Sequence, residues 1–487
     1  MELAEIFTPL VKTILVSAYF ITILVVVVVI MLENRSPLKT LSWIIVLLSL
    51  PVAGVVFYIF FGQNWRKEKI IARKGLKNHD LFASISRSQV KELSDSNLLI
   101  NSGVFTKRNI IRLLLNNSNA IVTHGNNVHI LNNGDQTFAA IIAELKKAKN
   151  FIHLQYYIFD EDNIGNTLIE ILKEKAEEGV EVRLIIDDVG GWHHSDTFFD
   201  RVSDYGIQVA RFLKVRFPMF TSKVNYRNHR KIVIVDGKVG FVGGINVADR
   251  YINGTESLGI WRDMHLRIEG DAVLALQEIF LTDWYFVKQE ELTDRKYFPA
   301  IDPVGDKLVQ IVPSGPDSDW PAIMMGFLQG IASAMKYVYI ATPYFMPTEP
   351  VLMAIKAAAL GGIDIRILMP EKSDARFVHL CSRSYIKELL ISGVKVYFYQ
   401  KGFLHSKMIV VDDLLCTIGT TNMDFRSFEY NFEVNAFIYD EEKATELRNI
   451  YLDDLNDSRQ LFYDIWIGRS RIMKFKESFA RLFSPLL

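Results

Sequence analysis

His229-Arg-Lys-Ile-Val-Ile-Val-Asp-Gly-Lys-Val-Gly-Phe-Val-Gly-Gly-Ile-Asn246 is the stretch on which the reading of this chain turns, because its pattern recurs. The second copy begins at His405-Ser-Lys407, passes four apolar residues to Asp412, and ends Gly419-Thr420-Thr-Asn422 at the same spacing. Side chains along a strand alternate faces, so His229 and Lys231 share one side while Ile232 and Ile234 point to the other. A base beside a fixed cation at a strand end offers a nucleophile and a charge for phosphate oxygens. Alone, such a pair would read as a solvated edge. Two copies at matching points of a duplicated domain do not.

The duplication extends outward from these stretches. Ile152-His-Leu-Gln-Tyr-Tyr-Ile-Phe159 parallels Val338-Tyr-Ile-Ala-Thr-Pro-Tyr-Phe345, and Gly179 to Ile186 parallels Gly362 to Met369. Gly206-Ile-Gln-Val parallels Gly393-Val-Lys-Val. Each copy reads as strand, helix (Thr167 to Glu178; Pro350 to Leu360), strand, helix, strand. Helices alternating with wholly apolar strands predict an α/β sandwich covered on both faces. The expected organisation is two tandem α/β/α domains, 121–300 and 301–487, facing each other across a pseudo-twofold axis.

Composition limits the alternatives. In 487 residues, 49% are hydrophobic and 23% charged, which allows a sizeable core. Lys plus Arg is 55 against 56 for Asp plus Glu, which argues against nucleic-acid binding through bulk positive charge. Cys381 and Cys416 are too few for a disulfide framework or a zinc site, and Cys416 sits in an apolar run as a core residue does.

The N-terminal end is different. Ile14 to Leu32 carries no charge, and neither does Leu41 to Phe61, which contains Pro51 and Gly54. Each is about 30 Å long as a helix, the thickness of a hydrocarbon core. Residues 1–62 are therefore expected to form a hairpin of two membrane helices, about 12–32 and 41–61. Arg35 and Lys39 lie in the short loop, whereas Arg66, Lys67, Lys69, Arg73, Lys74 and Lys77 follow the second run. That bias places the N-terminus and everything after residue 62 in the cytoplasm. Residues 63–120 read as a basic connector near the membrane surface.

Both copies of the opening stretch fit H-x-K-x4-D-x6-G-[GST]-x-N, the signature of the phospholipase D superfamily. With the N-terminal hairpin the chain resembles the two-span bacterial cardiolipin synthases, a likeness carried also by Asn225-Tyr-Arg-Asn-His229, Trp261-Arg-Asp263-Met-His265, Pro313-Ser-Gly-Pro-Asp317 and the ending Ala480 to Leu487. The resemblance implies a catalytic set of His229, Lys231, Asp236, His405, Lys407 and Asp412. His229 is implied as the nucleophile that forms a phosphohistidine, and His405 as acid and base. Lys231, Lys407, Asn246, Asn422 and Thr420 would hold the phosphate oxygens, with no metal or cofactor because the lysines supply the charge.

Within that set Asp236 and Asp412 stand seven residues from their histidines, on the opposite face, and read as turn residues that pin the strand end. The partner expected for each imidazole is a carboxylate downstream in its own copy. That is Asp263 for His229 and Glu433 for His405, with a salt bridge to Arg262 or Arg267 as the alternative for Asp263. Gly244 departs from the usual Ser or Thr, so a hydroxyl hydrogen bond to phosphate is expected from Thr420 alone.

Other polar clusters read as structure. Trp192-His193-His194-Ser195-Asp196 and Asp187-Asp188 are taken as loops, and His153 as a satisfied core histidine. Arg211 to Lys231 carries seven cations, no acid and clustered aromatics, which suits an anionic lipid surface. From Arg469 onward, Ile472, Phe475, Phe479, Leu482 and Phe483 share a helical face that fits either lipid or the protein core. The partners implied are phosphatidylglycerol and anionic membrane lipids, without nucleic acid; the oligomeric state is left open. Three functions compete: phosphatidyl transfer between two phosphatidylglycerols, hydrolysis by a phospholipase D or nuclease, and a scaffold with a decayed site. Intact His, Lys and Asn in both copies argue against the last.

Overall fold

The computed structural model describes residues 2–32, 37–50, 53–58, 77–94, 106–192, 196–215 and 225–486, which fall into two compact units. In the smaller, N-terminal unit, Glu2–Leu32 is one helix, and its segment Val11–Leu32 is long and apolar enough to cross a membrane. The second expected span appears in two pieces, Pro37–Ser49 and Ala53–Phe57, each shorter than a bilayer; residues 51, 52 and 59–61 lie outside the described residues. Leu50 N–H donates to the Val46 carbonyl, and Gly54 N–H to that of Leu50. Ile30, Leu47 and Tyr58 bury one another, with Trp43 edge-on to Tyr58 at 5.4 Å.

The larger unit is built on a single sheet of fifteen strands among the described residues. From one edge it runs Gln208–Phe212, Glu181–Asp187, Phe151–Tyr156, Ile232–Val235, Val239–Gly243, Met264–Glu269 and Val122–Asn132. It continues through Lys307–Ser314, Glu433–Ile438, Leu415–Gly419, Met408–Val411, Tyr337–Ala341, Asp364–Pro370, Lys395–Tyr399 and Ser458–Leu461. The second half mirrors the first about the antiparallel seam where Val122 pairs Gln310, then adds Ser458–Leu461 at its edge. The two halves are thus joined edge to edge, where the sequence predicts separate sandwiches.

In each half the outer strands are parallel and the inner ones antiparallel, apart from the added edge strand Ser458–Leu461, which is antiparallel. The first parallel crossover of each half is a helix, Asn163–Glu177 and Glu349–Leu360 respectively. The first begins four residues before its predicted start because Asp162 caps it, accepting from Gly165 N at 3.1 Å. Ile232–Val235 and Met408–Val411 are buried at every position between helices on both faces, which is why they read as unbroken apolar runs.

Part of the predicted connector belongs to this body. Arg108–Ser118 inserts Ile110, Ile111, Leu114 and Leu115 into the core of the second half, beside Ile323 and Phe327. Lys77–Ser94 is tied to it by Ser86, whose hydroxyl donates to the Leu115 carbonyl. The apolar face of 108–118 recurs at helical spacing, and its burial removes that segment from the membrane-surface role. Residues 59–76 and 95–105 lie outside the described residues.

The motif aspartates cap the far ends of the motif strands. Asp236, at φ 52°, accepts from the backbone N–H groups of Lys149, Asn150 and Phe151 at 2.7–2.9 Å. Asp412, at φ 56°, accepts from those of Met335, Lys336 and Tyr337 and pairs with buried Lys107 at 3.1 Å. Both leave the catalytic set for a physical reason: a four-residue strand separates them from the imidazoles, and their oxygens are committed to backbone. Asp412→Ala strands a buried ammonium and should cost about 3–5 kcal/mol. Asp236→Ala loses neutral donors only, about 1–3 kcal/mol. Thermal midpoints of the two variants compare them, and equal shifts would contradict the role given to Lys107.

Candidate active site

His229 and His405 stand just ahead of the buried strands Ile232–Val235 and Met408–Val411, and each is fixed by the opposite half of the molecule. On one side Asn228 bridges Phe432, with His229 N–H donating to the Phe432 carbonyl and Phe432 N–H to that of Arg227. On the other, Gly402–Leu404 pairs in parallel with Ile260–Arg262, and His405 N–H donates to the Arg262 carbonyl at 2.7 Å. These exchanged backbone contacts set the carboxylate pairing. Nδ1 of His229 lies 3.0 Å from both oxygens of Glu433, and Nδ1 of His405 lies 2.6 Å from Asp263.

The two carboxylates are those expected from the sequence, but the pairing is crossed. Asp263 serves His405 and Glu433 serves His229, because each carboxylate segment is the one zipped to the other half's histidine segment. The alternative salt bridges of Asp263 are also taken: Arg262 pairs with Asp454, and Arg267 with Glu144 and Glu269.

An Nδ1–H donated to a carboxylate leaves the lone pair on Nε2. Among the described residues Nε2 of His229 has no hydrogen-bond partner, whereas Lys407 Nζ lies 2.8 Å from Nδ1 and 3.1 Å from Nε2 of His405. Aromatic edges steady both rings, Tyr157 against His229 at 5.3 Å and Trp261 and Tyr251 against His405 at 5.4 and 5.6 Å. Lys231 Nζ donates to the His229 carbonyl at 2.8 Å, and Lys407 Nζ to that of His405 at 2.5 Å.

Burial governs the charges of this cluster. It lowers the pKa of His229 against the opposing pull of Glu433, and takes His405 to about 4 with help from Lys407. Burial likewise brings Lys231 to about 7 and Lys407 to about 8, although Glu433 and Asp263 favour their charged forms. Burial pushes Asp263 and Glu433 up, but the neighbouring cations and imidazoles outweigh it and both carboxyls end below their usual range. The cluster therefore holds neutral imidazoles, ionised carboxylates and two lysines near their titration points.

A bound oxyanion favours protonated lysine, so anion binding should be coupled to proton uptake above pH 7. Sulfate affinity should then fall as pH rises through 7 to 9, by up to about tenfold per pH unit for each proton taken up. Calorimetric titration with sulfate at pH 8, in two buffers of different ionisation enthalpy, reads this directly; identical heats would contradict it.

Three expected phosphate contacts fare differently. Thr420 donates its hydroxyl to Glu433 and accepts from Val434 N–H, so it buttresses the carboxylate and is not free for phosphate. An added Cβ on Gly244, the matching position, would lie 2.3 Å from Asp263 Oδ1, which is why no hydroxyl residue stands there. Asn246 spends its amide on Tyr251 at 2.8 Å and accepts from Ile158 N–H. Asn422 keeps a buried carboxamide oxygen without a hydrogen-bond partner among the described residues.

Several supporting residues escaped the sequence reading. Asp187, taken as a loop opening, accepts from Asn228 N–H at 2.7 Å and pairs with Arg227, so it fixes the approach to His229. Arg230 pairs with Asp283 and donates to the Glu433 carbonyl at 3.1 Å. With Arg211 bound to Asp188 and Phe212 fully buried, much of the basic aromatic stretch is internal. Residues 216–224 of that stretch, and His193, His194 and Ser195, lie outside the described residues. His153 is a core histidine, stacked on Phe280 at 4.3 Å. Separations of up to 200 residues between partners hide these pairs from local patterns.

Fold and cluster together define a phospholipase D-like protein with one site composed by two repeats. Residues 141–284 and 327–455 match the family described as cardiolipin synthase, PLD-like domain, and residues 20–63 the one described as phospholipase D-nuclease N-terminal. The chain is 44% identical over 461 residues to cardiolipin synthase 2 of Bacillus cereus, covering 94% of this chain and 89% of the relative. It is 41% identical over 471 residues to the cardiolipin synthase of Alkalihalophilus pseudofirmus, covering 96% and 93%. This chain belongs to the cardiolipin synthase family. A crystal structure of phosphatidylserine synthase from Haemophilus influenzae shares the fold, with a TM-score of 0.57 at 14% identity over 74% of this chain and 95% of that one.

Proposed function

We propose that the protein is a membrane-bound phosphatidyltransferase that joins two phosphatidylglycerol molecules into cardiolipin and glycerol. The observation that carries this reading is the crossed His–carboxylate cluster with its two lysines, in a chain over 40% identical to proteins named cardiolipin synthase. Neutral His229, its Nδ1–H held by Glu433, attacks phosphorus through Nε2 and forms a phosphatidyl-histidine. The P–O bond to glycerol breaks, and His405 delivers the proton to the departing oxygen. A hydroxyl of the second phosphatidylglycerol then gives its proton to His405 and attacks phosphorus, forming cardiolipin and freeing His229.

Lys231, Lys407 and Asn422 hold the non-bridging oxygens as charge builds on them. The phosphodiester anion between the lysines also favours the imidazolium form of His405, whose pKa burial and Lys407 lower to about 4. Burial of the cluster strengthens each of these interactions relative to water. Asp263 holds the imidazolium once formed. The N-terminal apolar runs are assigned as two spans with the body in the cytoplasm, on the Lys/Arg asymmetry of their flanks.

The test is to give full-length protein phosphatidylglycerol in mixed micelles, with and without a chelator. Cardiolipin and glycerol should appear in equal amounts at the same rate in both. Phosphatidic acid as the sole product would replace transfer by hydrolysis. Strong inhibition by the chelator would overturn the role of the lysines as the source of positive charge.

A further inference from the structure

The chain ends in a rigidly held helix, Arg471–Arg481, whose outer face is apolar. Ile472, Phe475, Phe479 and Leu482 are 69%, 71%, 49% and 74% exposed, and Ile465 just before them is 70% exposed. The opposite face is fastened to the body. Ala480 is fully buried, and Glu477 accepts from Arg383 at 3.0 Å and from Arg469. Arg481 pairs with Glu388, and Tyr385 shares a hydrogen bond with Ser484. The helix is thus docked by its polar side and presents its apolar side to the exterior. Such a face needs no further ordering to bind, so its apolar area counts in full.

Charge and position say what the face meets. Between Phe462 and Phe483 there are five cations and two acids, and one of those acids, Glu477, is buried in ion pairs. Exposed Arg471 and Lys476 flank the aromatic residues. Aromatic and aliphatic residues beside lysine and arginine on one helix are the chemistry of an anionic bilayer surface. Like charge on two copies disfavours the same face pairing with itself.

The segment also borders the site. The closing turn Ser484–Leu486 lies against Phe425–Glu429, the short helix that directly follows Asn422 and Asp424. The Phe483 ring is 5.6 Å from Phe377, whose helix Arg376–Ser384 follows Asp374, a residue whose charge acts on His405 and Lys407.

We propose that the face formed by Ile465, Ile472, Phe475, Phe479 and Leu482 seats the catalytic body on the anionic bilayer that contains its substrate. It is a contact additional to the N-terminal apolar helix. The proposal rests on the reading that the substrate is a membrane lipid. It sets the depth at which a headgroup meets the two imidazoles, with the acyl chains left in the bilayer.

The experiment uses full-length protein in vesicles of phosphatidylglycerol and phosphatidylcholine, with an environment-sensitive fluorophore on Phe475→Cys; the native Cys381 and Cys416 are buried. A control label goes on Met335→Cys, 75% exposed and at the Asp412 end of the sheet, away from the histidines. Lipids brominated on their acyl chains should quench the label at 475 and leave that at 335 unchanged, and quenching should weaken in pure phosphatidylcholine. No quenching at 475, or equal quenching at both sites, overturns the proposal. Energy transfer between labels at 475 without lipid quenching also overturns it, in favour of a second copy.

Phe475→Asp with Phe479→Asp should slow transfer from bilayer phosphatidylglycerol about tenfold, an interfacial defect. It should leave transfer from dispersed dihexanoyl-phosphatidylglycerol unchanged. Equal loss on both substrates would overturn the docking role. Were the protein to lack phosphatidyl transfer altogether, the quenching result would still stand or fall by itself.

Discussion

His229→Ala should reduce phosphatidyl transfer by about 10^4-fold or more, since it removes the atom that bonds to phosphorus. His405→Ala should be milder, about 10^2–10^4-fold, because it removes proton transfer and leaves the nucleophile. The asymmetry comes from the site itself. His229 presents an Nε2 with no partner among the described residues, while Lys407 Nζ lies against the His405 ring, 2.8 Å from Nδ1 and 3.1 Å from Nε2. A substrate with a good leaving group separates the two roles. With phosphatidyl-p-nitrophenol the departing oxygen needs no proton, so His405→Ala should recover most of its release rate and His229→Ala none. Release of p-nitrophenolate measures this, and recovery by His229→Ala would reverse the assignment.

The crossed carboxylates make the second large prediction. Glu433→Gln keeps the shape of the side chain but no longer enforces the Nδ1–H tautomer of His229, and a loss of about 10^2–10^4-fold is expected. Asp263→Asn should do the same to His405. With phosphatidyl-p-nitrophenol, Asp263→Asn should regain p-nitrophenolate release as His405→Ala does, while Glu433→Gln stays slow. If each carboxylate served the histidine of its own repeat, the two variants would exchange behaviour. Both replacements preserve volume at buried positions, so circular dichroism should show a retained fold.

These pairings also show where a sequence stops being informative. The duplication, the helix-strand alternation and the positions of His229, Lys231, His405 and Lys407 are periodic or repeated features, and local patterns suffice to find them. Glu433 and Asp263 were legible as carboxylates worth having, because each lies a short way after its motif. Their crossing was not, since it depends on Asn228 meeting Phe432 and Leu404 meeting Arg262 across the two halves. The same holds for Lys107, which lies in an ordinary amphipathic stretch and finds Asp412 305 residues away. Thr420 is a different case. Its hydroxyl fits a phosphate by motif, and only the closeness of Glu433 shows that it is spent on holding the carboxylate. Gly244 follows from the same geometry: the shorter Asp263 comes so near the backbone that a Cβ has no room.

The crossed arrangement gives the duplication a mechanical purpose. Neither repeat contains a complete histidine–carboxylate pair, so neither is a half-active enzyme. The seam between Val122–Asn132 and Lys307–Ser314 fixes the halves relative to one another within the sheet. The exchanged segments around His229 and His405 then tie them at the site. Two lysines beside two neutral imidazoles are tolerable without a ligand only because burial has brought them near their titration points. In the proposed reaction the phosphodiester would supply negative charge that favours the protonated lysines.

Covalent trapping identifies the histidine that carries the phosphatidyl group. Full-length protein is mixed with phosphatidylglycerol labelled at phosphorus, quenched within one turnover, digested at alkaline pH and mapped. An acid-labile phosphoramidate is expected on the peptide containing His229, absent from His229→Ala and present at reduced level in His405→Ala. Label on His405 in the wild type, or cardiolipin formed with no labelled histidine at any time point, would contradict it.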